Sequence, residues 1–142
     1  MKVLDILLVE DNPGDIRLTQ EAMREAKMSN NLHVTKNGMA AMDFLRRRGD
    51  FPEAPRPDLV LLDLNLPRLS GREVLKQMKD DPELRRIPVI VLSTSDAQRD
   101  VSESYDLHAN CYINKPVDFD QFLGAIDLIE KFWFGLVKLP KL

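Results

Sequence analysis

At 142 residues the chain has room for one domain, and a domain of that length buries a substantial core without disulfide or metal staples. Twenty basic against 23 acidic residues leave a net charge of −3, which gives no global electrostatic reason to bind nucleic acid or an anionic membrane surface. One cysteine, Cys111, excludes an internal disulfide framework, and no window approaches the roughly 18 uninterrupted apolar residues of a membrane span.

The opening residues, Met1-Lys2-Val3-Leu4-Asp5, carry an acid too early and an apolar run too short for a signal peptide, so a cytoplasmic location is expected. Residues 6–9 are a short, branched apolar run that predicts a buried strand, and Glu10, Asp11 and Asn12 leave its end. Residues 32–35 form a weaker strand whose polar alternation suits a sheet edge. Arg46, Arg47 and Arg48 close a predicted helix, where basic groups complement exposed carbonyls; a solvated helix end is preferred there to a phosphate-binding patch. Three prolines make residues 49–57 an irregular loop with no evident chemistry.

A third apolar run at 59–62 ends at Asp63. Ser70 and Glu73 have capping-box spacing, with Val74, Leu75 and Met78 as the buried face behind them, and Asp81-Pro82 ends that helix. The run at 89–92 leads to Ser93 and Thr94. Capping spacing recurs at Ser95 and Gln98, but the helix near 97–105 has chiefly Val101 and Tyr105 to bury, which predicts low local stability. A fifth run at 111–113 precedes Lys115-Pro116, and its Cys111 reads as a buried, inert thiol. The last helix, capped by Asp118 with Gln121, carries Phe119, Phe122, Leu123, Ile126, Ile129 and Trp133 at three- and four-residue intervals. Strand and helix thus alternate five times, the pattern of a doubly wound α/β fold.

Sites in such sheets form beyond the carboxyl ends of the strands, near the point where strand order reverses. The residues leaving the strands are Glu10 and Asp11, then Asp63, then Ser93 and Thr94, then Lys115. Three carboxylates on one rim raise each other's pKa unless opposite charge relieves them. A hard divalent cation such as Mg²⁺ supplies that relief, and Lys115 adds a positive charge from the other side. A carboxylate between a metal and a lysine suits attack on a phosphoryl group, and Asp63, leaving the central strand, is the best nucleophile. His33 and His108 have no acid or cysteine at ligand spacing and read as exposed or structural.

From residue 6 to about residue 134 the chain resembles the receiver domains of two-component response regulators. The resemblance rests on Ile6-Leu7-Leu8-Val9-Glu10-Asp11-Asn12, Leu59-Val60-Leu61-Leu62-Asp63-Leu64-Asn65-Leu66-Pro67 with Ser70-Gly71, Pro88-Val89-Ile90-Val91-Leu92-Ser93, and Tyr112-Ile113-Asn114-Lys115-Pro116. It implies a flavodoxin-like (βα)5 fold with a five-stranded parallel sheet in the order 2-1-3-4-5. A single receiver domain would span residues 1–142, with a short apolar tail from about 135. It also implies that Asp63 accepts phosphate from a histidine kinase. Asp11, Asp63 and the backbone carbonyl of Asn65 would ligate Mg²⁺ or Mn²⁺, with Glu10 acting through water. Ser93, Thr94 and Lys115 would contact the phosphoryl group, Tyr112 would turn inward as the switch moves, and Lys115-Pro116 would be a cis peptide.

Within the family, the chain looks like the stand-alone regulators paired with cyanobacterial phytochrome kinases. That narrower likeness rests on Glu10-Asp11-Asn12-Pro13-Gly14-Asp15, the proline-rich loop, Ser93-Thr94-Ser95-Asp96 and the aromatic end of the last helix. Three features depart from the common pattern. Glu10 stands where Asp is more frequent, Thr94 is bulkier than the usual Ala or Gly and narrows access to the phosphoryl group, and His108-Ala109 replaces a Gly-Ala turn.

Phe132, Trp133, Phe134, Leu136, Val137 and Leu139 are too many apolar groups for one helix face of so small a domain to bury. A homodimer through the last helix and tail is therefore expected. With no output domain in sight, the signal would pass by contact with a phosphotransfer or target protein, and the chain would be a phosphoacceptor rather than a turnover enzyme. Three other readings are weaker. A haloacid dehalogenase-type phosphatase needs a second acid two residues after its Asp, where this chain has Asn65. A flavodoxin-type cofactor carrier would find its phosphate repelled by Glu10, Asp11 and Asp15. A receiver kept only as an interaction module would have no use for the full set of site residues.

Overall fold

In the computed structural model, the described residues are 3–26, 29–93 and 111–114, with isolated helical positions at Asp120, Leu123, Gly124 and Asp127. Five parallel strands are present: β1 (Leu4–Val9), β2 (Asn30–Thr35), β3 (Leu59–Asp63), β4 (Val89–Ser93) and β5 (Cys111–Asn114). Helices α1 (Pro13–Glu25), α2 (Gly38–Leu45) and α3 (Gly71–Asp80) connect them, with a 3₁₀ turn at Leu84–Arg86 before β4. The strand order is β2-β1-β3-β4-β5, the doubly wound order expected from the sequence.

Strand periodicity explains how the sheet is buried on both faces. Leu7 and Val9, Val60 and Leu62, and Val89 and Val91 share one face with Met42 of α2 and Val74, Leu75 and Met78 of α3. Ile6 and Leu8, Leu59 and Leu61, and Ile90 and Leu92 share the other with Ile16, Ala22 and Met23 of α1, and Leu123 packs against that cluster. Both residue sets are apolar, which is why the runs read as continuous rather than alternating. Each fully buried Leu, Ile or Val contributes roughly 1.5–3 kcal/mol of transfer free energy. β2 is one edge of the sheet, and most of its residues are only half-buried.

The strands run slightly longer than the apolar pattern predicts. β1 and β2 begin at Leu4 and Asn30, and their register pairs Leu4 with Asn30 and Asp5 with Asn31. Parallel ladders join backbone groups whatever the side chains, so the sheet continues past the end of the apolar run. Ser70 caps α3 as its spacing predicts, its hydroxyl accepting from the Glu73 amide at 3.2 Å. Asn12 and Asn37 cap α1 and α2 in the same way, accepting from Asp15 and Ala40 at 3.0 and 2.8 Å. Among the described residues, no helix is long and apolar enough to cross a membrane.

β1 lies between β2 and β3, so the chain leaves it toward β2 and later returns on its other side. The reversal opens a crevice at the carboxyl ends of β1 and β3. Gly71 brings α3 close to that crevice. Its amide donates to the Leu64 carbonyl at 3.0 Å, and a Cβ on it would lie 2.1 Å from the Asp63 carbonyl oxygen.

Candidate metal and phosphoryl site

The crevice is lined by the residues that leave its two flanking strands. Glu10 follows β1 and Asp63 ends β3; both are buried, at 1% and 7% exposure, while Asp11 is exposed. One carboxylate oxygen from each of Glu10, Asp11 and Asp63 falls within 4.8 Å of the others. Buried carboxylates so close are costly without opposite charge, and three oxygens converging at that range are donors suited to a hard divalent cation.

The backbone holds two of the three in place. The Glu10 amide donates to the Thr35 carbonyl at 3.0 Å, tying the turn after β1 to the end of β2. The Glu10 carboxylate accepts the amides of Asp11 and Asn12 at 3.1 and 3.4 Å, which folds the turn around its own acid. Asp63 Oδ1 accepts the Asn65 amide at 3.1 Å. That contact sets the Asn65 backbone next to the Asp63 carboxylate.

Glu10, Asp11, Asp63 and Asn65 are thus brought together. Ser93 lies on the same rim, because Asp63 pairs with Leu92 across β3 and β4 and Ser93 is the next residue. Tyr112 pairs with Val91 across β4 and β5. The side chains of Ser93, Cys111 and Tyr112 lie outside the described residues, as do Thr94, Lys115, Pro116, the helix expected at 97–105 and the tail residues Phe132, Trp133, Phe134 and Leu136. His33 is structural, as expected: its Nε2 lies 3.0 Å from Asp5 Oδ1, and its ring packs against Phe44 at 5.4 Å between centroids.

Three contributors to this edge of the sheet have no structural role assigned from the sequence. Asn12 was legible, since Asn before Pro is a strong helix-start signal. Gly71 was quoted as part of a motif, but its close approach to the Asp63 backbone appears only once α3 is docked. Thr35 carries the only buried side-chain polar atom without a partner among the described residues, and nothing in a lone strand-end threonine signals that.

Residues 6–127 match the family described as the response regulator receiver domain. Response regulator Rcp1 of Synechocystis sp. is 47% identical over 135 residues, which span 95% of this chain and 92% of that protein. The polar-differentiation response regulator DivK of Brucella anthropi is 36% identical over 121 residues, spanning 85% of this chain and 91% of its own. Among solved structures, the phosphorylated cyanobacterial phytochrome response regulator RcpA superposes with a TM-score of 0.91 at 48% identity, covering 99% of this chain and 100% of that one. The Mn²⁺-bound form of Rcp1 superposes with a TM-score of 0.88 at 46% identity, covering 97% and 99% of the two chains.

Proposed function

The chain belongs to the response regulator receiver family, and on that premise we propose that Asp63 accepts a phosphoryl group from a histidine kinase of the phytochrome type, in a reaction that requires Mg²⁺ or Mn²⁺. The observation that carries this reading is the convergence of Glu10, Asp11 and Asp63 oxygens within 4.8 Å at the β1/β3 switch point. The phytochrome assignment is supported by the likeness to RcpA and Rcp1 over nearly the full chain.

Asp11, Asp63 and the Asn65 carbonyl would hold the metal, with Glu10 supporting it through water. When bound, the cation neutralises charge on the equatorial phosphoryl oxygens. The remaining work falls to this chain's own groups. The Asn65 amide fixes Asp63 Oδ1, so the carboxylate presents Oδ2 in one orientation. A carboxylate oxygen of Asp63 attacks phosphorus while the phosphorus–nitrogen bond of the kinase phosphohistidine breaks, and the imidazole leaves. The product is an acyl phosphate on Asp63. Lys115 and Ser93 contact its oxygens, and Tyr112 responds to the Ser93 movement. Thr94 narrows access to the site.

The chain is consumed and regenerated rather than turning over substrate, so it signals as a phosphoacceptor in the cytoplasm. A second copy of the chain docks on the last helix and tail through Phe132, Trp133, Phe134 and Leu136, and the phosphorylated form engages a phosphotransfer or target protein. Phosphotransfer profiling against the host's histidine kinases tests the partner: a phytochrome-type kinase should label the protein fastest, and only with divalent metal. Equal labelling by unrelated kinases would contradict that assignment.

A further inference from the structure

Four arginines from three separate segments meet around one cleft of about 630 Å³ at the opposite end of the sheet from Asp63. Arg46 and Arg47 follow α2, Arg56 lies just before β3, and Arg86 lies just before β4. Buried Leu45 and Leu84 help to line the cleft, and Asp81 and Glu83 are its carboxylates. Asp81 is already engaged, its Oδ1 accepting the amides of Glu83 and Leu84 at 2.9 and 3.2 Å. Four guanidinium groups therefore outnumber the two acids in a chain whose overall charge is −3.

A solvated helix end accounts for Arg46 and Arg47 only. Arg48, the next residue, behaves as an ordinary surface cation and pairs with Asp43 at 2.8 Å. Among the described residues, Arg46, Arg47 and Arg86 have no carboxylate at ion-pair distance. Arg56 is half-buried, and its Nη2 donates to the Glu83 carbonyl at 2.9 Å, bridging the loop to the 3₁₀ turn. Burial lowers its pKa from the ordinary arginine value; Glu83 and Asp58 raise it, while Arg47 and Arg86 lower it. Arg47 has φ of +55° because it closes α2 in a Schellman turn, the Arg47 and Arg48 amides donating to the Phe44 and Asp43 carbonyls at 3.2 and 2.9 Å. Concentrated like charge in one concave site is a feature of ligand recognition.

From this geometry we propose that the cleft binds a small molecule bearing a diphosphate. Planar guanidinium forks match phosphate oxygens two at a time, and several forks around a pocket suit a multiply charged anion better than a single carboxylate. The volume lies within the roughly 300–1,000 Å³ of small-molecule pockets. A free diphosphate and a nucleoside diphosphate share this chemistry. The cleft and Asp63 are joined by β3, whose five residues span roughly 15 Å, so both sites can be filled at once. The proposal does not depend on phosphorylation of Asp63.

Calorimetric titration of the full chain, freed of metal with a chelating resin, tests it with inorganic pyrophosphate, ADP and an oligoglutamate peptide as probes. Saturable 1:1 pyrophosphate binding is expected, weakening with added salt. Arg86→Gln and Arg56→Gln should each weaken it by about tenfold or more, while Asp63→Asn leaves it unchanged. Arg86 is exposed, so its substitution spares the fold and keeps the test decisive if Arg56→Gln unfolds. Tighter binding of ADP than pyrophosphate would identify a nucleotide, and equal binding a free diphosphate. No saturable binding, affinity untouched by Arg86→Gln, or tighter binding of oligoglutamate would overturn the proposal.

Discussion

The Asn65 amide donates to Oδ1 of Asp63 at 3.1 Å, so the loop that follows Asp63 also orients its carboxylate. The bond uses backbone rather than a side chain, and substitution of Asn65 should leave it in place. Asn65→Ala is accordingly expected to accept phosphate from acetyl phosphate at a rate within about threefold of the natural protein, because neither the amide nor the carbonyl is lost. A far larger drop in labelling rate would mean that the Asn65 side chain has a part of its own.

Glu10 is buried and accepts the Asp11 and Asn12 amides through its carboxylate. Glu10→Gln keeps an acceptor oxygen for those amides and removes a charge, so the fold should hold while metal affinity falls by about 10–100-fold, the usual cost of losing a group that supports metal ligands. Glu10→Ala removes the acceptor as well and should also lose about 1–3 kcal/mol of stability. Magnesium titration and urea unfolding of the two variants separate the effects. Unchanged metal affinity in Glu10→Gln would remove Glu10 from the site.

Gly71 sits where a Cβ would lie 2.1 Å from the Asp63 carbonyl oxygen and 2.6 Å from Leu64 Cα. Both obstacles are backbone and cannot rotate away. Gly71→Ala should therefore cost at least about 1–3 kcal/mol, as overpacking does, and displace the Asp63 loop. Urea unfolding together with metal titration checks both parts; a variant as stable as the natural protein would show that α3 docks more loosely than described.

Lys79 buries its stem beside the 3₁₀ turn, and its Nζ donates to the Arg85 and Ile87 carbonyls at 3.3 and 3.5 Å. Burial lowers its pKa below the ordinary lysine value of 10.5. The unfolded chain therefore binds this proton more tightly, and the contribution of Lys79 to stability rises with pH between its folded value and 10.5. Relative to Lys79→Met, the natural protein should gain stability as pH climbs through that window. Urea unfolding of both proteins at neutral and alkaline pH measures this, and a difference that stays constant would contradict it.

The fold was legible because its cause is local. Runs such as 59–62 and 89–92 are apolar on both strand faces, and that pattern has few explanations in a short run. Asp63 was legible because it ends such a run, and Glu10 and Asp11 because they end another. What stayed hidden depends on docking. The distance from Gly71 to the Asp63 backbone, the missing partner of Thr35 and the meeting of Arg56 with Arg86 all join residues far apart in the chain. The loop at 49–57 shows this most clearly. Its prolines announce irregular structure, yet Phe51 and Ala54 pack against the core and Arg56 reaches the turn before β4.

The central claim is that Asp63 is the phosphoacceptor, and intact-mass spectrometry of the full chain tests it most directly. With acetyl phosphate and Mg²⁺, the natural protein should gain the mass of one phosphoryl group, and the gain should vanish with chelator and in Asp63→Asn. A phosphoryl group that still appears on the Asp63→Asn protein, at the same rate and with the same need for metal, would contradict the account.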